Sequence, residues 1–201
     1  MCRLLETIRV EKGMMMNLSY HEDRIDRSLI ILYGKRELPA IRELIKITTG
    51  QDSGVYKYSM VYSNTDFKVS IGLYQKRNII QLLLLEKPDM LYNLKYADRS
   101  VFGNLLSPRD INTEIIFTRA GLLTDTRYTN IALEKDGLWI TPEKPLLEGT
   151  QRALLLDRSI IIPGNISRDD LKDFSKIRLF NAMMPWEDVL ELDISKIKDH
   201  D

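Results

Sequence analysis

Cysteine and histidine are scarce in the 201-residue sequence. Cys2 is its one cysteine, and His21 and His200 are its two histidines. A disulfide framework, a zinc knuckle and a histidine-rich metal cluster each need more of these side chains than the chain supplies. We therefore predict no metal site, and if the protein carries out difficult chemistry, we expect an organic cofactor.

The sequence also lacks an excess of charge and a long apolar run. Its 29 Lys and Arg balance 29 Asp and Glu, so no overall positive field attracts a nucleic-acid backbone. The longest apolar run, residues 79–85, is interrupted by Gln81 and is too short to cross a bilayer. Charged residues are interspersed through residues 1–13, so no signal-peptide core is found there. We predict a cytoplasmic protein with no nucleic-acid or membrane partner.

Hydrophobic residues make up 44% of the chain, enough to bury one large core or two small ones. The first half predicts a hairpin over residues 4–18, a helix from an N-cap at Ser19 to Gly34, and a second helix over residues 39–50. Three strands follow, and their predicted ranges are residues 54–63, 67–74 and 78–85. This pattern is typical of the α+β class.

The segment Lys87-Pro88-Asp89 interrupts the pattern and indicates a domain boundary. We predict a small N-terminal α+β domain over residues 1–88 and a larger C-terminal α+β domain over residues 92–201. In the second domain we predict helices over residues 97–106, over residues 149–157 and after Ser167. The predicted strands of this domain cover residues 113–118, 122–124, 130–135, 138–141, 159–162 and 177–181.

Two basic residues are candidates for chemistry, and each also has a simpler explanation. Lys95 has the apolar neighbours Leu91, Leu94 and Val101, which would desolvate its amine and make it nucleophilic. The alternative is a solvated lysine at a helix end. Arg24 lies in the first predicted helix, where its planar guanidinium suits a phosphate ligand. The alternative is a solvated helix face of mixed charge.

The second half offers two further candidates. Gly149 and Thr150 stand at a predicted helix start, where free amides and the helix dipole bind anions; the alternative is an ordinary helix cap. Asp125 stands near the end of a predicted strand, where an acidic residue is either a turn former or a buried counter-charge.

These segments, taken together, resemble one enzyme family. In chain order they are Glu6-Thr7-Ile8-Arg9, His21-x-x-Arg24-x-x-x-Ser28, Lys95, Leu122-Leu123-Thr124-Asp125-Thr126, Asn130, Asp136-Gly137, Thr141-Pro142 and Gly149-x-x-Arg152. Their order and spacing resemble the class IV aminotransferase family, which comprises pyridoxal-phosphate enzymes of fold type IV. The family includes branched-chain and D-amino-acid aminotransferases and aminodeoxychorismate lyase.

The resemblance implies a two-domain fold of the D-amino-acid aminotransferase type, with pyridoxal 5'-phosphate at the domain interface, and a homodimer. It implies that Lys95 holds the cofactor covalently and moves protons at the substrate carbon. It also implies that Arg24 binds the cofactor phosphate together with the backbone amides of Thr150 and Gln151. Asp125 would pair with the pyridine nitrogen, where a carboxylate keeps the ring protonated.

The substrate side of the site is implied by a late segment and by one departure from the family. The segment around Ala182 and Met183 resembles the family loop whose backbone meets the substrate carboxylate. Arg127 stands where the family usually has a small residue, so it either binds a substrate carboxylate or points to solvent. Asp125 also departs, because it stands where the family has glutamate and is one methylene shorter.

Three functions follow from the resemblance. The first is a lyase that converts 4-amino-4-deoxychorismate to 4-aminobenzoate and pyruvate for folate synthesis, and it is favoured by the segments Lys95-x-x-Asp98-Arg99 and Asn181-Ala182-Met183-Met184-Pro185. The second is an aminotransferase acting on branched-chain or other amino acids, which needs the same lysine, acid and phosphate site. The third is a degenerate, non-catalytic homologue, suggested by the departures at Asp125 and Arg127.

Overall fold

The computed structural model describes residues 2–44, 54–103, 105–107 and 110–199. These residues form three α-helices and thirteen β-strands arranged in three sheets, so the α+β class is confirmed. None of these helices is long and apolar enough to cross a membrane.

The chain divides into two compact units. The first comprises Met1–Gln75 and Leu94–Arg99, and the second comprises Lys76–Asn93 and Ser100–Asp201. This division differs from the boundary expected near residue 88. The difference arises because the strand Gln81–Glu86 pairs with Thr113–Arg119 of the second unit, whereas residues 94–99 return to the first.

The first unit contains one antiparallel sheet. Its strands are β1 (Leu4–Glu11), β2 (Met14–Met15), β3 (Val55–Tyr62) and β4 (Phe67–Leu73), in the order β2-β1-β3-β4. Side chains alternate across a strand, and every second residue of β1 from Leu4 to Val10 is buried. The α-helix α1 (Leu18–Tyr33) buries Ile25 and Leu29 in the same core cluster.

The hairpin of β1 and β2 is short and leaves room beside the start of β1 for the segment that contains Lys95. Lys12 and Gly13 both have positive φ, 49° and 75°, as a two-residue hairpin turn requires. Because β2 has only two residues, the first half of β1 keeps an open edge. Residues 95–97 occupy it: the Leu5 N–H donates to the Lys95 carbonyl (2.8 Å), and the Ala97 N–H donates to the Arg3 carbonyl (2.9 Å).

The helices of the first unit agree with the sequence predictions only in part. The N-cap predicted at Ser19 is wrong, because α1 begins at Leu18 after Asn17, which has a left-handed φ of 55°. The predicted end is confirmed: the Gly34 N–H donates to the Ile30 carbonyl at 2.8 Å. The predicted second helix begins at Ile41 and not at Pro39, as α2 (Ile41–Leu44), and residues 45–50 of the prediction lie outside the described residues.

The second unit contains two sheets and the helix α3 (Thr150–Asp157). The sheet orders are β13-β5-β6-β7 and β10-β9-β8-β11-β12. Their strands are β5 (Gln81–Glu86), β6 (Thr113–Arg119), β7 (Leu122–Thr126), β8 (Asn130–Lys135), β9 (Leu138–Pro142), β10 (Ile162–Gly164), β11 (Lys176–Phe180), β12 (Leu190–Asp193) and β13 (Ile197–Asp199). Buried residues of both sheets, including Ile116 of β6 and Leu133 of β8, form one core cluster.

Several predicted elements of the second unit need correction. The helix predicted over residues 97–106 is wrong: the described part forms only a short 3-10 helix at Ser100–Phe102, and the Ala97 N–H donates instead to the carbonyl of Arg3, which directly precedes β1. The strand predicted over residues 159–162 begins at Ile162, since Ser159 has a positive φ of 54°. The short strands β12 and β13 were not predicted, because neighbouring strands rather than long apolar patterns hold them in place.

We predict that Ile25→Ala lowers the free energy of unfolding by about 2–5 kcal/mol, because it leaves a cavity in the core of the first unit. Ile31→Ala is the matched control, since Ile31 lies on the same helix but is 64% exposed, whereas Ile25 is 0% exposed. The control should change the free energy by less than about 0.5 kcal/mol. Urea denaturation of both variants measures the difference, and equal losses would contradict this packing.

Candidate active site

Lys95 presents an amine with an altered pKa in the first unit. Its backbone lies along β1, and its side chain is partly buried. Burial and the positive charges of Arg24 and Arg99 lower its pKa to about 7, although Glu6 opposes this shift. At neutral pH much of the amine is therefore unprotonated, which is the nucleophilic form.

Arg24 belongs to a buried network with Glu6 and His21. Glu6 Oε1 accepts hydrogen bonds from Arg24 Nε (3.2 Å), Arg24 Nη2 (2.5 Å) and His21 Nδ1 (2.5 Å). Burial alone would raise the pKa of Glu6, but Arg24 and His21 together lower it to about 2. Burial lowers the pKa of His21. Glu6 is thus ionised at neutral pH, and a neutral His21 donates to it through Nδ1.

This network leaves polar atoms for a ligand. Both nitrogens that Arg24 directs at Glu6 lie on one side of its guanidinium, and within the described residues no acceptor contacts Nη1. Glu6 Oε2 and His21 Nε2 are buried without a hydrogen-bond partner. The network therefore fixes the orientation of Arg24 while leaving part of its guanidinium able to bind an anion.

Asp125 is the buried acid of the second unit. Its Oδ1 accepts from Asn130 Nδ2 and its Oδ2 accepts from the Leu147 N–H, both at 2.9 Å. Burial raises its pKa to about 7, although these two bonds and the charge of Arg152 act in the opposite direction. The carboxyl can therefore hold or release a proton near neutral pH.

The start of α3 forms a candidate anion site. Gly149 precedes the helix, and Thr150 Oγ1 is buried without a hydrogen-bond partner. The first helical turn has backbone N–H groups that the helix itself does not use, and its dipole favours anions. Arg152 anchors this turn by donating to Thr141 Oγ1 (3.3 Å) and to the Pro142 carbonyl (2.8 Å).

Arg127 neither points to solvent nor lies isolated. Its Nε donates to Glu114 Oε1 at 2.6 Å, and its side chain is only 13% exposed. The buried Glu114 also accepts from Arg77 Nη1 at 2.6 Å. Two arginines therefore share one carboxylate, and the group keeps a net positive charge.

Ala182 and Met183 lie in the turn that follows β11. The Met183 N–H donates to Asn181 Oδ1 at 2.9 Å, and the Met184 N–H donates to the Asn181 carbonyl at 3.0 Å. Asn181 Nδ2 donates to the Tyr128 carbonyl at 3.2 Å. Asn181 therefore organises this turn, and any ligand of the Met183 amide competes with it.

The predicted site residues thus fall into two groups. The first unit contains Lys95 and Arg24, and the second contains Asp125, Thr150, Gln151, Arg127, Ala182 and Met183. In the described part of the chain, no cluster of three or more His, Cys, Asp or Glu side chains could hold a metal ion. The hydrogen-bond partners of these residues were not predicted from the sequence. The partner of Arg24 could have been found, because Glu6 is a charged residue that interrupts an otherwise apolar inward face of β1.

Comparisons with known proteins bear on this arrangement. The family model described as amino-transferase class IV matches residues 3–192. An uncharacterized protein of Haemophilus influenzae is 31% identical over 182 residues, which is 90% of this chain and 97% of the relative. A structure of a proposed 4-amino-4-deoxychorismate lyase from Haemophilus somnus is 34% identical, with a TM-score of 0.80. The match covers 90% of this chain and 96% of the chain in that structure.

A more distant structure shares the fold. A hypothetical aminotransferase from Mycobacterium tuberculosis, solved with pyridoxal phosphate bound, has a TM-score of 0.76 at 16% identity. The match covers 95% of this chain and 80% of the chain in that structure. The family model matches nearly the whole chain, including the segments that contain Lys95 and Asp125. The chain belongs to the class IV aminotransferases, a family of pyridoxal-phosphate enzymes.

Proposed function

We propose that this protein is a pyridoxal-phosphate-dependent lyase that converts 4-amino-4-deoxychorismate to 4-aminobenzoate and pyruvate in the cytoplasm. The observation that carries the proposal is the 34% identity to the Haemophilus somnus protein over 90% of the chain. An aminotransferase acting on an amino acid and a 2-oxo acid is the second candidate, favoured by the membership of the chain in the class IV family.

The side chains fit pyridoxal phosphate at three points. Lys95 offers an amine with a pKa of about 7 for covalent attachment. Asp125 offers a buried carboxyl for the pyridine nitrogen. We propose from the family membership that the phosphate is bound by Arg24 of the first unit and, in the second unit, by Thr150 Oγ1 and the backbone of Gln151 at the start of α3.

The chemistry follows from these fits. When bound, pyridoxal phosphate withdraws electrons from the substrate carbon that carries the amine. Lys95 Nζ takes the proton from this carbon, and the bond from the ring to the enolpyruvyl oxygen breaks. The ring becomes aromatic, and the released enol takes up a proton at carbon to become pyruvate. With the cofactor bound, Asp125 would hold the pyridine nitrogen in its protonated form.

We propose that Arg127 and the backbone of Ala182 and Met183 bind the carboxylates of the substrate. The net positive charge of the Arg127 group supports this role. A carboxylate at Met183 has to replace the bond from its N–H to Asn181. A degenerate homologue is the least supported function, because the chain retains both the amine and the acid, each with a pKa of about 7.

We also propose that the protein is a homodimer. The residues Phe67, Val69, Ile71 and Leu73 alternate along β4 and are 37–62% exposed. Val69 and Ile71 pair with Met60 and Tyr58 of the buried face of β3. The apolar face of the sheet therefore continues onto β4 without cover in the described chain, as an interface with a second copy would require.

We predict that Ile71→Glu shifts the protein from dimer to monomer, because the new carboxylate would be buried in that interface. Ser70→Glu is the control, since Ser70 is exposed on the opposite face of the same strand. Sedimentation velocity of both variants measures the change. A monomeric wild type, or a dimer unaffected by Ile71→Glu, would contradict the role of this surface.

We predict that borohydride reduction of the protein with pyridoxal phosphate fixes the cofactor on Lys95. Peptide mass spectrometry locates the adduct, and Lys95→Ala should abolish it while the fold is retained. Lys57→Ala, at an exposed lysine of β3, is the matched control and should leave the adduct unchanged. An adduct that persists in Lys95→Ala would refute the assignment, and a folded wild type without any adduct would favour the degenerate homologue.

With 4-amino-4-deoxychorismate as substrate, we predict equal amounts of 4-aminobenzoate and pyruvate without any added 2-oxo acid. Lys95→Ala should lower kcat/KM at least about 10³-fold, because it removes the group that moves the proton. Chromatography measures the aromatic product, and a coupled lactate dehydrogenase assay measures pyruvate. Ping-pong exchange between an amino acid and a 2-oxo acid, without release of pyruvate, would establish the aminotransferase instead.

A further inference from the structure

Asn130 makes contacts that neither the motif nor the proposed reaction explains. It is buried at the start of β8, and its Nδ2 donates at 2.9 Å both to Asp125 Oδ1 and to the Leu147 carbonyl. The Leu147 N–H donates to the other oxygen of Asp125, also at 2.9 Å. Three residues from different parts of the chain are thus joined by a closed set of three hydrogen bonds.

The opposite side of the same amide faces the start of α3. A Cβ at Gly149 would overlap Asn130 Oδ1 and would lie 3.1 Å from its Cγ. The amide cannot turn away without breaking the two bonds that its Nδ2 makes. Gly149 is therefore required by close approach, and not by backbone conformation, since its φ of −73° is open to any residue.

We propose that Asn130 is a positioning residue that fixes the Asp125 carboxyl relative to the start of α3. If the proposed function holds, these two groups bind the ring nitrogen and the phosphate of one cofactor, so their separation has to match that molecule. Asparagine suits the position because its amide donates twice on one side and presents a single small oxygen on the other. Aspartate cannot donate there, and alanine leaves both acceptors without this donor.

These hydrogen bonds also explain how the shorter side chain of Asp125 can hold its carboxyl in a defined place where the family has glutamate. Both Asp125 oxygens are held, so the carboxyl has a defined place despite the missing methylene. An added methylene would move the carboxyl by about 1.5 Å and break its bonds to Asn130 and Leu147. Asp125→Glu should therefore weaken cofactor binding, even though it restores the family residue.

The test compares Asn130→Ala with Asn78→Ala, an exposed asparagine of the same unit. Carbon-13 NMR of labelled aspartate carboxyls in the cofactor-free protein measures the pKa of Asp125. We expect Asn130→Ala to raise this pKa by about one unit, because the lost bond stabilised the ionised form. We also expect about a tenfold higher Kd for pyridoxal phosphate, measured by absorbance. Asn78→Ala should change neither value. An unchanged pKa of Asp125 would overturn the proposal.

A double-mutant cycle tests the contact with α3 independently. Gly149→Ala should lower the urea midpoint strongly in the wild-type chain and much less in the Asn130→Ala chain, where the overlapping amide is gone. Equal losses in both chains would overturn the link. Asn130→Ser replaces the alanine variant if that variant does not fold. If the wild type binds no pyridoxal phosphate, the proposed function fails, whereas the NMR and unfolding measurements still decide the role of Asn130.

Discussion

The cost of burying charge is the physical constraint that governs the candidate site residues of each unit. Removing an ionisable group from water favours its neutral form unless a partner compensates. Burial therefore moves Lys95 and Asp125 in opposite directions, and the pKa of each reaches about 7. Glu6 is buried as well, but it remains ionised at neutral pH because Arg24 and His21 lower its pKa to about 2.

Lys95 and Asp125, which form no ion pair with any described residue, weaken the fold around neutral pH. Lys95 in the folded protein binds fewer protons than in the unfolded chain between about pH 7 and 10.5, so its contribution to stability rises with pH there. Asp125 binds more protons when folded between 3.8 and about 7, so its contribution falls across that range. For Lys95 the full difference corresponds to at most about 5 kcal/mol, and water at its partly exposed side chain reduces this value.

Local signals in the sequence predict the elements that local interactions form. The Gly13 turn, the end of α1 at Gly34 and the Asp136-Gly137 turn all depend on residues that tolerate positive φ. The segment around Lys95 could not be predicted in the same way. Its sequence pattern predicts a helix, but residues 95–97 form hydrogen bonds beside β1 instead, because the short β2 leaves that edge open. These hydrogen bonds join residues about ninety positions apart, which a local pattern does not indicate. The bonds of Asn130 to Asp125 and Leu147 depend likewise on tertiary packing.

The two departures from the family pattern are both accommodated by neighbouring residues. The shorter Asp125 is held at both oxygens, and the larger Arg127 is held by the buried Glu114. Both departures leave the Lys95 amine and an acid at position 125 in place. The Lys95 amine and the Asp125 carboxyl each destabilise the fold near neutral pH. A protein under selection for stability alone would gain by replacing both groups with apolar side chains. The presence of a partly buried Lys95 and a buried Asp125 is therefore better explained by chemistry at these two residues than by the fold.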